Sequence, residues 1–225
     1  MLTLTDALGG RPYPGRGCVA ARTGDGSLWF AYFLTGRSEA SRSRALEPCG
    51  PDGVRVADTR DTGSHDALRH YVAASRRGVW TVVGNGDQVE PIADALAASV
   101  DPVTAWQAHT FEPDPPIFTP RVWICADADE RVLIGSARRS DRPDGSADRG
   151  VWMPDSIGRG SGVLITTYAG TANDVVTSGL PLDVVIDDAA GEGLLETVWD
   201  ALDPSVRVAA FAVQPADFDG TLFQQ

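Results

Sequence analysis

At 225 residues, 43% hydrophobic and 22% charged, the chain reads as one folded domain over 1–225 rather than a disordered segment. All 19 of its cations are arginine, which excludes lysine Schiff-base chemistry and the lysine of a phosphate-binding P-loop. The 31 acids leave a net charge of −12, which argues against nucleic-acid or anionic-membrane binding, where a cationic face must dominate.

The first residues, Met1-Leu2-Thr3-Leu4-Thr5-Asp6, lack the basic start and apolar run of a signal peptide. No apolar stretch approaches the roughly 20 residues of a membrane span. Three widely spaced cysteines (Cys18, Cys49, Cys125) fit neither a disulfide framework nor a zinc knuckle, so a reducing cytoplasm is the expected location. Residues 16–22 and 27–35 read as strands joined by Thr23-Gly24-Asp25-Gly26, a hairpin signal. An arginine-dense polar loop follows at 36–44. Residues 64–77 read as a helix, with Ser64 as cap and Leu68, Tyr71 and Val72 on one face. A strand at 79–83 ends in Gly84-Asn85-Gly86, and Asp87 is placed to cap a second helix running to about Ser99.

Pro113, Pro115, Pro116 and Pro120 make 112–120 an extended, stiff connector. Strands at 121–126 and 131–137 turn at 127–130, and 140–150 reads as a mobile polar loop. Further strands are expected at 162–168, 182–186 and 206–213, with a last helix over 192–202. Hairpins at both ends and helices grouped between them predict an α+β fold with largely antiparallel sheets.

Four groups of residues carry chemistry. Arg37, Arg42 and Arg44 stand among Ser38, Ser41 and Ser43 directly after a strand, the guanidinium and hydroxyl groups that grip a phosphate; a solvated loop is the plain alternative. Asn85 and Gly86 offer backbone N–H groups at a helix start, for an anion or a carbonyl, or simply form a turn. Glu112 and Arg121, at the two ends of the connector, are a positioned acid–base and anion pair or a structural ion pair. Cys18 opens the first strand, where N-terminal-nucleophile amidohydrolases place their nucleophile, but its free α-amine would require cleavage after Gly17; a buried strand cysteine is the alternative. The three histidines (His65, His70, His109) show no metal-ligand spacing, and no metal is expected.

Six short blocks in order over residues 13–181 resemble the archaeal-type IMP cyclohydrolase family. They are Tyr13-Pro14-Gly15-Arg16-Gly17, Tyr32 through Ser38 with Arg42, Val83-Gly84-Asn85-Gly86, Thr119-Pro120-Arg121-Val122, Leu164 through Gly170, and Leu180-Pro181. The resemblance implies a four-layer αββα sandwich like that of N-terminal-nucleophile hydrolases, without a processed nucleophile. It implies closure of the purine ring of a formylated aminoimidazole-carboxamide ribotide (FAICAR) to IMP, with loss of water, no cofactor, and a homo-oligomer. Carried onto this chain, Glu112 is the general acid–base, Arg37 stabilises the oxyanion or phosphate, and Tyr168 donates its hydroxyl. Arg42 and Arg121 would hold phosphate and ribose, Asn85 would read the carboxamide, and Ser38, Gly86 and Thr119 would join them in binding the substrate. The alternatives are a paralogue that binds or hydrolyses another nucleotide or amide, through Cys18, and a non-catalytic nucleotide-binding protein.

Overall fold

The structure, a computed structural model, describes residues 1–60, 70–218 and 221–225. In chain order the elements are β1 (Leu2–Thr3), α1 (Leu4–Gly9), β2 (Arg16–Arg22), β3 (Leu28–Thr35), α2 (Glu39–Arg42), β4 (Arg44–Pro48) and β5 (Gly53–Asp58). Then follow β6 (Tyr71–Arg77), β7 (Trp80–Gly84), α3 (Val89–Ala97), α4 (Pro102–Gln107), β8 (Arg121–Ala126) and β9 (Val132–Arg139). The chain ends with β10 (Ala147–Trp152), β11 (Ser161–Thr166), β12 (Pro181–Val185), α5 (Gly191–Ala201), β13 (Arg207–Val213) and β14 (Leu222–Gln224).

Two seven-stranded sheets result, one ordered β1-β12-β11-β2-β3-β13-β14 and the other β10-β9-β8-β7-β6-β5-β4. Every described strand pair is antiparallel except β1 with β12. The period of two along each strand decides which layer a side chain joins. In β2 and β3, Cys18, Ala20, Phe30 and Tyr32 point inward and meet Val83, Val122 and Ile124 of the second sheet. Their neighbours Val19, Ala21, Ala31 and Phe33 point outward, onto Leu4 and Leu8 of α1 and Leu194 and Val198 of α5. On the other outer face Val82, Trp123 and Cys125 carry α3 and α4 through Ile92, Leu96 and Trp106. The protein is therefore α+β, two large sheets face to face with helices on both outer surfaces.

The predicted β2–β3 and β8–β9 hairpins, β7, α3, β11, β12, α5 and β13 are present within a residue or two. The helix expected over 64–77 is not. Its residues 64–69 lie outside the described ones, and Tyr71–Arg77 is a strand between β5 and β7. A short apolar run satisfies both periodicities, and here a two-residue connection through Gly78, at φ 60, returns Arg77 against Trp80. The loop expected at 140–150 gives way at Ala147 to β10, an edge strand whose Asp148 pairs with Arg142 at 2.6 Å. Charged, glycine-containing edges tolerate solvent, which is why the stretch reads as loop. Asp87 does not cap α3; Gln88 stands at that position and Asp87 pairs with Arg121. The β4–β5 hairpin and the short helices α1, α2 and α4 were not foreseen. Nor are the helices grouped: α1 and α5, from opposite ends of the sequence, pack on the same face. Among the described residues no helix is long and apolar enough to cross a membrane.

Candidate active site

A cleft of about 210 Å³ opens at one end of the sandwich. Arg16, the first residue of β2, and Thr35, the last of β3, supply one wall, and α2 with Arg44 supplies the next. The connector before β8 contributes Glu112, Asp114, Ile117 and Thr119, and Tyr168 closes the ring from beyond β11. Gly15 is required where it stands. Its φ of 75 is left-handed, and a Cβ there would collide with Thr167 Oγ1 and the Tyr168 ring.

The floor of the cleft is an ion pair that proximity in sequence could not reveal. Arg16 Nη2 donates to Glu112 Oε2 at 2.7 Å, and Arg16 Nη1 donates to the carbonyl of Asn85 at 3.0 Å. Asn85 Nδ2 donates to Glu112 Oε1 at 3.4 Å and to the Pro120 carbonyl at 2.9 Å, while its Oδ1 accepts from the Val122 N–H at 2.6 Å. The Glu112 N–H in turn donates to the Thr119 carbonyl, closing the connector on itself. Glu112 is only 2% exposed. Burial raises its carboxyl above the ordinary glutamate range, against the lowering pull of Arg16. Burial opposes the charge on Arg16 most strongly, but attraction and hydrogen bonding to Glu112, joined by Tyr71 and Tyr32, together outweigh it and hold that guanidinium well above its ordinary value. A carboxyl whose hold on its proton is strengthened by burial, beside a permanent cation, is equipped for proton transfer.

Arg37 lies at the exposed mouth, 5.9 Å above the Tyr13 ring, and donates to the Ala172 carbonyl at 2.9 Å. Ser38 and Ser41 form a capping box at the start of α2 and face the cleft. Arg44 is buried, its Nε on the Ser41 carbonyl and its Nη2 on the Thr35 carbonyl, both at 2.8 Å. Opposite them Tyr168 stacks on Tyr13, with ring centroids 5.6 Å apart, and shares a 2.5 Å hydrogen bond with Thr119 Oγ1.

Of the residues singled out in the sequence, Glu112, Arg37, Ser38, Thr119 and Tyr168 converge on this cleft. Four do not line it. Arg42 points out of α2 into solvent and reaches only the Gly36 carbonyl. Arg121 spends Nη1 on the carbonyls of Thr110 and Phe111 and Nη2 on Asp87, at 2.6 Å. Asn85 is fully buried with both polar atoms engaged inside the protein, so it holds Glu112 and Arg16 rather than facing a ligand. Gly86 lies behind Glu112, where an added Cβ would stand 3.5 Å from Glu112 Oε1 and 2.6 Å from Gln88 Oε1. Arg44 and Ser41, named only as part of the arginine-dense loop, do line the cleft, whereas Arg16 and Asp114 were missed as site residues; only the position of Arg16 within the Tyr13–Gly17 block pointed to it.

Cys18 is buried with its thiol 3.8 Å from the Val83 carbonyl, and burial pushes its ionisation far up. Its backbone is inside the sheet, between Ile165 and Tyr32, so it has neither a free amine nor access to a substrate. Cys18→Ala is expected to retain whatever catalysis the parent has and to cost about 1 kcal/mol of stability for one sulfur-sized void, read by urea unfolding. His109 stacks on Trp106, and burial lowers its pKa; His65 lies outside the described residues. Among the described residues no three His, Cys, Asp or Glu side chains are grouped to hold a metal.

Compared with known families, residues 13–218 match the family described as IMP cyclohydrolase-like protein. The chain belongs to that family. The match to the IMP cyclohydrolase-like family runs past Pro181, where the recognisable blocks end, and takes in α5 and β13. It thus spans the connector, the arginine-bearing turn and both sheets that build the cleft. A comparison with curated proteins gives no match.

Proposed function

We propose that this IMP cyclohydrolase-like protein closes the purine ring of FAICAR to IMP in the cleft between Glu112, Arg37 and Tyr168. The observation that carries the reading is the buried Glu112–Arg16 pair on the cleft floor, a carboxyl with a raised pKa inside a site of the family's own blocks. In the reaction the carboxamide nitrogen attacks the formyl carbon, a C–N bond forms, and the formyl oxygen becomes a hydroxyl. That hydroxyl leaves as water once it is protonated and the former formamide nitrogen gives up its proton. Both reacting groups belong to one molecule, so holding them together supplies much of the rate. Glu112 takes the proton from the attacking nitrogen and returns one to the departing oxygen. Arg16, fixed beside it, favours the carboxylate between these steps. Arg37, with Ser38, Ser41 and Arg44 along one wall, supplies the cationic and hydroxyl groups for the phosphate or the developing oxyanion.

The chain 1–225 acts as one unit in this reading, and its layering is that of N-terminal-nucleophile hydrolases with the nucleophile position buried. Single-turnover conversion of FAICAR, followed in the ultraviolet, tests the activity; no IMP formation by the parent chain overturns it. Phosphate recognition has its own test. Arg37→Ala is expected to lose about 1.5–3 kcal/mol of IMP affinity by calorimetry, the worth of hydrogen bonds to a charged group. Arg42→Ala, outside the cleft, is expected to bind as the parent does. Equal losses in both variants would mean that only overall charge is being sensed.

A further inference from the structure

The hydroxyls of Thr119 and Tyr168 are hydrogen-bonded to each other, and the pair alone does not say which donates. Asp114 decides it. Its Oδ1 accepts from the Thr119 N–H at 2.7 Å, and its Oδ2 lies 2.5 Å from Thr119 Oγ1. A carboxylate only accepts, so the Thr119 hydroxyl hydrogen is committed to Oδ2. The Tyr168 hydroxyl must then donate to Thr119 Oγ1, because Thr119 has no second hydrogen to give. The Tyr168 oxygen is left with its lone pairs toward the cleft that Tyr168, Thr119 and Asp114 all line.

We infer that Asp114 is a positioning residue that sets the direction of the Asp114–Thr119–Tyr168 chain, making Tyr168 a hydrogen-bond acceptor for a ligand N–H or hydroxyl. This reverses the donor role expected for Tyr168 from the sequence. The direction itself stands on this geometry alone; only the choice of ligand rests on the proposed function. The group selected is a donor, such as a ribose hydroxyl or a ring or carboxamide N–H, and an analogue that presents a carbonyl or ether oxygen at that point is disfavoured.

Asp114→Asn tests the direction without changing shape. The Thr119 N–H keeps the amide oxygen on its side, which turns the amide NH₂ toward Thr119 Oγ1. Thr119 must then donate to Tyr168, and the Tyr168 hydrogen swings into the cleft to face the ligand's own donor. With IMP as the probe, calorimetry is expected to show affinity lowered about tenfold in Asp114→Asn and by a similar factor in Tyr168→Phe, the loss of about one neutral hydrogen bond. In the Tyr168→Phe background, Asp114→Asn should change affinity less than twofold. Unchanged or tighter binding by Asp114→Asn overturns the inference, as does an equal loss in the two backgrounds.

A second readout needs no ligand, and so separates this inference from the proposed function should the parent not bind IMP. Tyr168 is titrated in the ultraviolet as the difference between each chain and its Tyr168→Phe counterpart. Arg16, Glu112 and Asp114 are the charged groups around the phenol. In the parent, the phenolate would meet a Thr119 hydroxyl already given to Asp114. In Asp114→Asn that hydroxyl turns to the phenolate, so the midpoint should fall. With Thr119→Val in the background the fall should shrink to less than half, because the change of charge at Asp114 remains but the hydrogen bond to the phenolate does not. A fall of the same size in the Thr119→Val background overturns the inference.

Discussion

Glu112→Gln is expected to slow the proposed cyclisation roughly 10²–10⁴-fold, the usual worth of a general acid–base, while the chain stays folded and binds IMP. Glutamine keeps the length and one acceptor, which Arg16 Nη2 claims. Its amide nitrogen then faces Asn85 Nδ2, a donor against a donor at the site of the weaker 3.4 Å contact. Some loss of stability accompanies the substitution, so urea unfolding belongs beside the single-turnover rate. A rate loss far larger than the fraction unfolded assigns proton transfer to Glu112. Full activity in Glu112→Gln would remove Glu112 from the proton transfer and leave the cyclisation to positioning by the rest of the cleft.

Arg16→Met should be the most destabilising change in the site, by about 3–5 kcal/mol at neutral pH, because it leaves Glu112 buried without its cation. The pH dependence follows from the direction of the Glu112 shift. A carboxyl whose pKa is raised on folding binds more protons folded than unfolded, so its stabilising contribution is complete below the ordinary glutamate pKa and is lost as pH rises through the raised one. Without Arg16 the carboxyl rises further, since burial remains and the opposing attraction is gone. The deficit of the variant relative to the parent should therefore widen above the parent's Glu112 pKa and level off above the variant's. In acid, where Glu112 is protonated in both, it should narrow to the cost of the lost Arg16 contacts. Urea unfolding from acid to neutral pH measures this. A deficit independent of pH would mean that Arg16 contributes packing and its bond to the Asn85 carbonyl, but no charge compensation.

These two expectations share a cause. Glu112 is held by Arg16 from β2, by Asn85 from the end of β7, and by the Thr119 carbonyl within its own connector. Three elements from both sheets thus fix one carboxylate. That is the preorganisation an intramolecular ring closure asks of a protein, since the substrate brings its own nucleophile and electrophile.

Local signals in the sequence were enough for many of the pieces, though not for the β4–β5 hairpin, β6, β10 or the short helices. The Thr23–Gly26 turn between two β-branched and aromatic runs specifies the β2–β3 hairpin, because turn chemistry and period-two patterning act over a few residues. The apolar stripes of α3 and α5, and the blocks that place the chain in its family, were legible for the same reason. Glu112 stood out at one end of a proline-stiffened connector. What held it did not, because Arg16 is 96 residues away and becomes its partner only when the two sheets close. The same closure turned Tyr71–Arg77 into a central strand, since ladder partners on both sides override a short run compatible with either period. It also chose among the arginines. One turn of α2 sends Arg42 to solvent and leaves Arg44 to enter β4 facing the cleft, and an ion pair with Asp87 draws Arg121 away from it. Burial and partner choice are properties of the assembled sheets. A stretch of sequence shows which groups are available, and only the packed structure decides which of them meet.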